Sequence, residues 1–414
     1  MQVVDDQSER ARLLAGEMPR IEVRAVPEFG RCVEHGGTRP VAHLVGIPHD
    51  QTDERPRETG SLRHIVHRRF RHGSPEQLLT STDTSTRMRA LQSLERSNAE
   101  GKQLRSSLLE RVGSAPISWG ICEVPGWGAQ LPVDRVLSEM VELDLTATEL
   151  GSIGYLPTDP TELRELLDRF GMRLTGGFNA LCLHDADRAD DMLARAAASA
   201  DRLAAAGASH FVTCAVSDPD DWQRPELSDD DWSTLFDHLA RVDELCRERG
   251  LVQAFHPHVD SVVETAAEIQ RVLERTTVGF VLETGHMLIG GMDPLTFAVD
   301  HVDRVVLVHL KDVNVGLIEP LNRDELTLMQ AVQAGIFPPL GDGGAPIAEV
   351  VRALEGAGYQ GRYVIEQDAA LTDGLPTHGE GPFRDVARSV VYLQSIASAI
   401  AAPFETHNKG EIPT

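Results

Sequence analysis

The stretch VGFVLETGHMLIGGMDPLTFAVDHVDRVVLVHLKD, residues 278–312, holds two short apolar runs, VGFVLE (278–283) and RVVLVHL (304–310), each with a carboxylate or imidazole at its C-terminal end. Runs this apolar fit parallel strands buried on both faces better than half-wet antiparallel ones, which alternate. The same unit recurs outward in both directions. Toward the C-terminus lies GRYVIEQ (361–367); toward the N-terminus lie LVQAFH (251–256), SHFVTCAV (209–216), MRLTGGF (172–178), TATELG (146–151) and VGSAPIS (112–118). Helical stretches fall between them at 159–170, 188–206, 230–249, 262–275 and 346–357, and Val133, Val136, Leu137, Met140 and Val141 mark one face of a further helix. Gly171, Gly207, Gly250 and Gly358 stand where a helix C-cap calls for positive φ. Eight strand–helix units predict an α/β fold, a (β/α)8 TIM barrel, over residues 111–402. A doubly wound open sheet is the alternative, and no GxGxxG follows the first strand to suggest a dinucleotide site.

Outside the barrel the composition changes. The chain of 414 residues has 64 Asp+Glu against 39 Lys+Arg, a formal net charge of −25. Residues 1–110 carry 16 of those acids and 17 of the bases, which leaves 48 and 22, a net of −26, for residues 111–414. Residues 1–110 show no sustained period and read as a poorly structured extension, disordered or placed before a downstream start, with the basic stretch Arg63–Arg71 solvated; residues 403–414 read as a tail. The five cysteines, at 32, 122, 182, 214 and 246, form no CxxC and read as buried thiols. No apolar run of about 18 residues and no basic-then-apolar leader is present in the sequence. The expectation is a cytoplasmic protein with no membrane and no nucleic-acid partner, since so acidic a barrel repels phosphate backbones.

In such a barrel the site is built where strands end. Those ends carry Trp119, Glu149, Asn179, His256 and His258, Glu283 and His286, His309 and Lys311, and Glu366. One histidine there would be a hydrogen-bonded structural residue. Several imidazoles and carboxylates converging from different strands are instead the donor set for Mn²⁺, Co²⁺, Fe²⁺ or Zn²⁺, with room for substrate oxygens.

The segments SAPISWG (114–120), TATELG (146–151), AFHPHVDSVVET (254–265), VLETGHMLIGG (281–291), VVLVHLKDVN (305–314), GIFPPLGDGG (335–344) and YVIEQD (363–368) occur in an order that resembles the inosose dehydratase branch of the xylose-isomerase-like sugar isomerase/epimerase barrels. The resemblance covers roughly residues 112–400, and it implies a metal-dependent lyase that removes water from 2-keto-myo-inositol, or a similar cyclic keto-polyol, through a metal-stabilised enolate. It also implies a divalent metal, Mn²⁺ or Co²⁺ ahead of Zn²⁺, Fe²⁺ or Mg²⁺, held by His256, Glu283, His309 and Glu366. Glu264 is the alternative strand 5 ligand, because the wider superfamily has a glutamate where this chain has His256. At strand 6 the family pattern is Asp-Thr-Gly-His, whereas this chain has Glu283-Thr284-Gly285-His286, one methylene longer. His258, Glu366 and Lys311 are the expected proton-transfer and substrate-polarising groups. Trp119, Glu149 and His286 are the expected substrate contacts, although Trp119 also reads as a plug of the barrel mouth and Lys311 as an ion pair with Asp312, Glu366 or another carboxylate. The competing activities are a sugar isomerase or epimerase on the same site, a 3-dehydroshikimate dehydratase-like lyase, and nonenzymatic sugar binding. A homo-oligomer is expected by resemblance alone.

Overall fold

The computed structural model describes residues 107–219 and 222–402. The extension and tail assigned from sequence, including Arg63–Arg71, lie outside these residues, except for a helical turn at 107–109. Nine parallel strands form one sheet: β1 (Val112–Ser114), β2 (Ala147–Thr148), β3 (Arg173–Leu174), β4 (Gly176–Leu181), β5 (His210–Ala215), β6 (Val252–Phe255), β7 (Gly279–Glu283), β8 (Val305–Leu310) and β9 (Tyr363–Ile365). The order is β3-β2-β1-β9-β8-β7-β6-β5-β4. Its two ends, β3 and β4, are halves of one segment interrupted at Thr175, so eight barrel positions are filled and the sheet closes. Thr175 N–H donates to Thr148 O and Leu150 N–H to Gly176 O, which carries the ladder across the break.

Each barrel position is followed by a helix: α1 (Val133–Glu142), α2 (Pro160–Phe170), α3 (Ala189–Ala205), α4 (Asp229–Glu248), α5 (Ala266–Arg275), α6 (Pro294–Asp300), α7 (Ile347–Ala357) and α8 (Pro382–Ala401). Local chemistry sets their ends. Asp159 accepts from the N–H groups of Thr161 and Glu162 with Pro160 at the first position, so α2 begins there. Helix α5 starts at 266 rather than at the expected 262 because Thr265 and Glu268 form a reciprocal capping box. Gly171, Gly207, Gly250 and Gly358 take φ of +64°, +82°, +72° and +85° after their helices. The first strand is shorter than its apolar run. Pro116, with no N–H to give a ladder, opens a 3₁₀ turn at Pro116–Trp119.

The barrel interior is a small apolar layer of Ala115, Val212, Ala254, Val281, Leu307 and Val364, separate from the larger core between strands and helices. This layer fixes which residues reach the site. Side chains alternate along a strand, so two residues beyond Ala254, Val281, Leu307 and Val364 the inward positions are His256, Glu283, His309 and Glu366, and two further on three of these strands are His258, Lys311 and Asp368. Cys122, Cys182, Cys214 and Cys246 are free thiols.

Candidate metal centre

His256, Glu283, His309 and Glu366 each offer one donor atom, and those atoms lie within 4.8 Å of one another. The first three residues are 0–1% exposed and Glu366 is 9% exposed. His309 Nδ1 stands 2.7 Å from Glu366 Oε2 and 3.1 Å from Glu283 Oε2, and His256 Nε2 stands 3.6 Å from Glu283 Oε2. Despite these approaches, both Glu283 oxygens and His309 Nδ1 have no partner in hydrogen-bonding geometry. Buried polar atoms are almost always satisfied, and an orphaned carboxylate costs several kcal/mol, of order 2 or more. Two imidazole nitrogens and two carboxylates converging, with both Glu283 oxygens and His309 Nδ1 unpartnered, fit a borderline divalent cation. The chain therefore brings together a buried His/Glu cluster able to bind a metal.

The surroundings fix this set. On its other ring face His309 Nε2 donates to Glu149 Oε1 at 3.1 Å, which leaves Nδ1 to face the cluster and orients the ring as carboxylates orient metal-bound histidines. Burial disfavours the His309 imidazolium, but Glu149 and Glu366 outweigh it and hold this imidazole well above its ordinary range. The opposite balance holds for Glu366: burial pushes it up, and Lys311 and His309 bring it well below the usual carboxylate range. Glu264 is engaged elsewhere, by Arg224 at 3.0 Å and by the N–H of Asp260, so His256 is the strand 5 candidate that reaches the cluster.

Lys311 is wholly buried and sits among carboxylates: Glu366 Oε1 at 2.8 Å, Asp368 Oδ1 at 3.0 Å and Glu283 Oε1 at 3.8 Å. These raise its pKa against burial, so it is a fixed cation. Its ammonium also donates to His286 Nε2 at 3.0 Å and lies 4.7 Å from the Phe337 ring centre. Gly285 makes this possible, since a Cβ there would come within 2.8 Å of the Lys311 side chain. Because His286 Nε2 accepts, its Nδ1 carries the proton, and that buried Nδ1 has no partner. His258 donates Nδ1–H to the Val259 carbonyl at 2.6 Å and lies 3.8 Å, centre to centre, from the His286 ring. Burial, with His256 and Lys311 nearby, pushes His258 down to about 3, so it is neutral at pH 7 with Nε2 left as acceptor.

Three placements depart from what the strand-end positions suggest. Trp119 is fully buried and its indole N–H donates to Glu139 at 2.8 Å, so the ring packs in the outer core. Asn179 faces the helical layer, where Ser199 of α3 donates to its side-chain oxygen. Asp312 does not pair with Lys311; its carboxylate accepts from the N–H groups of Val313, Gly341, Gly343 and Ala345 and so pins the long connection after β8. Asp368 is the charged site residue that strand-end reading missed. Alternation past Glu366 is the signal for it, and burial pushes its carboxyl up to about 6.

A family model described as "Xylose isomerase-like TIM barrel" matches residues 138–389. An inosose dehydratase of Geobacillus kaustophilus is 35% identical over 63% of this chain and 89% of its own length. The rhizopine catabolism protein MocC of Rhizobium meliloti is 32% identical over 69% of this chain and 90% of its own. Among solved structures an L-ribulose 3-epimerase superposes with a TM-score of 0.52 at 14% identity, covering 70% of this chain and 95% of that one, a likeness of fold. With the family match spanning most of the barrel, the chain belongs to the xylose isomerase-like TIM barrel family, as an inosose dehydratase-like member of it.

Proposed function

We propose that this chain is a hydro-lyase that removes water from 2-keto-myo-inositol or a closely similar cyclic keto-polyol, with Mn²⁺ or Co²⁺ at the His256–Glu283–His309–Glu366 cluster. The observation that carries the reading is the orphaned buried donor set, in a chain whose curated relatives include inosose dehydratases. When bound, a divalent cation supplies Lewis-acid polarisation of the substrate ketone, worth several kcal/mol of transition-state stabilisation, of order 3 or more.

The chain's own groups supply the rest. A ketone acidifies the C–H beside it, and elimination requires that proton to leave to a base while the hydroxyl one carbon further out departs as water. His258, whose Nε2 is free of the Val259 carbonyl, is the first candidate to take the proton and return it to the departing hydroxyl; Glu366 is the second. Lys311, held charged, faces developing negative charge on a substrate oxygen. The unpartnered Nδ1–H of His286 is a donor for a substrate hydroxyl. Glu149 serves the reaction through His309, whose ring it orients. The net acidity of the barrel suits a neutral polyol rather than nucleic acid. No helix among the described residues is long and apolar enough to cross a membrane.

The test is a substrate screen on metal-reconstituted protein. Incubation with 2-keto-myo-inositol is expected to produce the ultraviolet band of a conjugated dione. A new ketose without that band would establish an epimerase instead, and protocatechuate absorbance from 3-dehydroshikimate would move the substrate to that acid.

A further inference from the structure

With Trp119 buried, two other aromatic rings stand over the donors. Phe178 lies on the inward face of β4: it pairs in register with Val212 of the interior layer, while a Cβ at its neighbour Gly177 would meet Leu203 of α3, and Asn179 bonds Ser199 of the same helix. Its ring is 38% exposed, whereas Phe211, Phe255, Phe280 and Phe297 are all fully buried. Trp222, half-buried in the connection between β5 and α4, stacks on it with centres 6.0 Å apart and planes 24° from parallel. Both rings abut the site. Phe178 meets His256 edge-on at 5.7 Å and His258 at 6.0 Å, and Trp222 meets His258 edge-on at 5.3 Å.

We infer that Phe178 and Trp222 form the platform that takes the C–H face of a ring-shaped polyol and thereby select carbocyclic over open-chain substrates. A six-membered carbocycle bearing mainly equatorial hydroxyls is apolar on its two broad faces and polar at its rim. An exposed aromatic pair beside a set of polar donors complements both at once: C–H bonds against the π faces, hydroxyls and ketone toward His286, Lys311 and the cluster. An open-chain ketose presents no such face unless several of its bonds are frozen, which costs about 0.5–1.5 kcal/mol for each immobilised group. The substrate class rests on the dehydratase reading above; the platform itself rests on the placement of the two rings.

Steady-state kinetics test it, on 2-keto-myo-inositol with an open-chain ketose as competitor and with metal content measured on every variant. Trp222→Ala and Phe178→Ala are each expected to raise KM about tenfold, with kcat within about twofold and metal content unchanged, because stacking acts on ground and transition states alike. Trp222→Phe should recover most of the loss, and both Ala variants should narrow the preference for the ring over the competitor. A parent that turns over the inosose, with Ala variants of unchanged KM, overturns the inference and leaves the dehydratase reading standing. A parent that does not turn it over removes that reading, and intrinsic fluorescence then decides the platform. A saturable change with myo-inositol, present in the parent and absent in Trp222→Phe, supports it; no change in the parent overturns it.

Discussion

The two ends of this barrel treat charge in opposite ways. At the N-terminal end Arg111, at the mouth of β1, donates to both oxygens of Glu355 at 2.6 and 2.8 Å and to the carbonyls of Tyr359 and Gly361, and the Tyr363 hydroxyl donates to the same glutamate at 2.7 Å. Those groups are nearly buried and fully matched. At the C-terminal end Glu283 is fully buried with neither oxygen hydrogen-bonded, and His256, His286 and His309 each have an unpartnered Nδ1. Unpartnered atoms occur singly at the N-terminal end, as at Arg362 Nη1, but cluster on one carboxylate and three imidazoles at the other. That clustering marks the C-terminal end as the working one, in agreement with where barrels of this kind place their sites.

Substitutions at the two ends should separate the roles. His309→Ala is expected to have the largest effect, a fall in turnover of at least about a thousandfold with loss of bound metal by elemental analysis, since a donor and its Glu149 support go together. Retained turnover with full metal content would sink the site. Arg111→Ala should instead cost about 3 kcal/mol in urea unfolding, by breaking a nearly buried pair, and leave kcat unchanged. A change in kcat with no change in stability would reverse the contrast between the ends. For Glu283→Gln, bound metal and turnover are expected to fall together, and metal-free protein to lose some stability at pH 7, because Lys311 and the two imidazoles outweigh burial and the nearby Glu366 and hold this carboxyl below its ordinary range. Unchanged metal content would remove Glu283 from the donor set.

The smallest effect concerns acid. Burial holds His210, at the start of β5, below the ordinary imidazole range. On acidification the unfolded chain therefore takes up this proton first, and stability falls as pH drops below about 6.5, the unfolded value. His210→Gln should give a flatter melting temperature between pH 7 and pH 5; an unchanged slope would remove His210 as a source.

Much of the site was legible because it follows period two. Once Ala254, Val281, Leu307 and Val364 are read as inward, His256, Glu283, His309 and Glu366 must follow. Carrying the alternation one step further would have yielded Asp368. The rings were harder. The sequence run ending at Phe178 conceals a strand that breaks at Thr175 and continues to Leu181, which makes Phe178 an inward residue rather than a last one. Trp222 sits in a connection with no period at all. Trp119 misleads for the converse reason: Pro116 turns the chain into a 3₁₀ segment and sends the indole to Glu139 on α1, a rotation that no spacing records. The split of the third strand into β3 and β4 at Thr175 was equally hidden.

The central claim, that the unsatisfied end is a metal centre for dehydration, is tested most directly by cobalt titration of chelator-stripped protein, with visible absorption and turnover of 2-keto-myo-inositol read at each addition. The expected result is uptake of one Co²⁺ per chain, with dione formation rising in step and with neither signal in His309→Ala. Full turnover by the stripped, metal-free protein would contradict it.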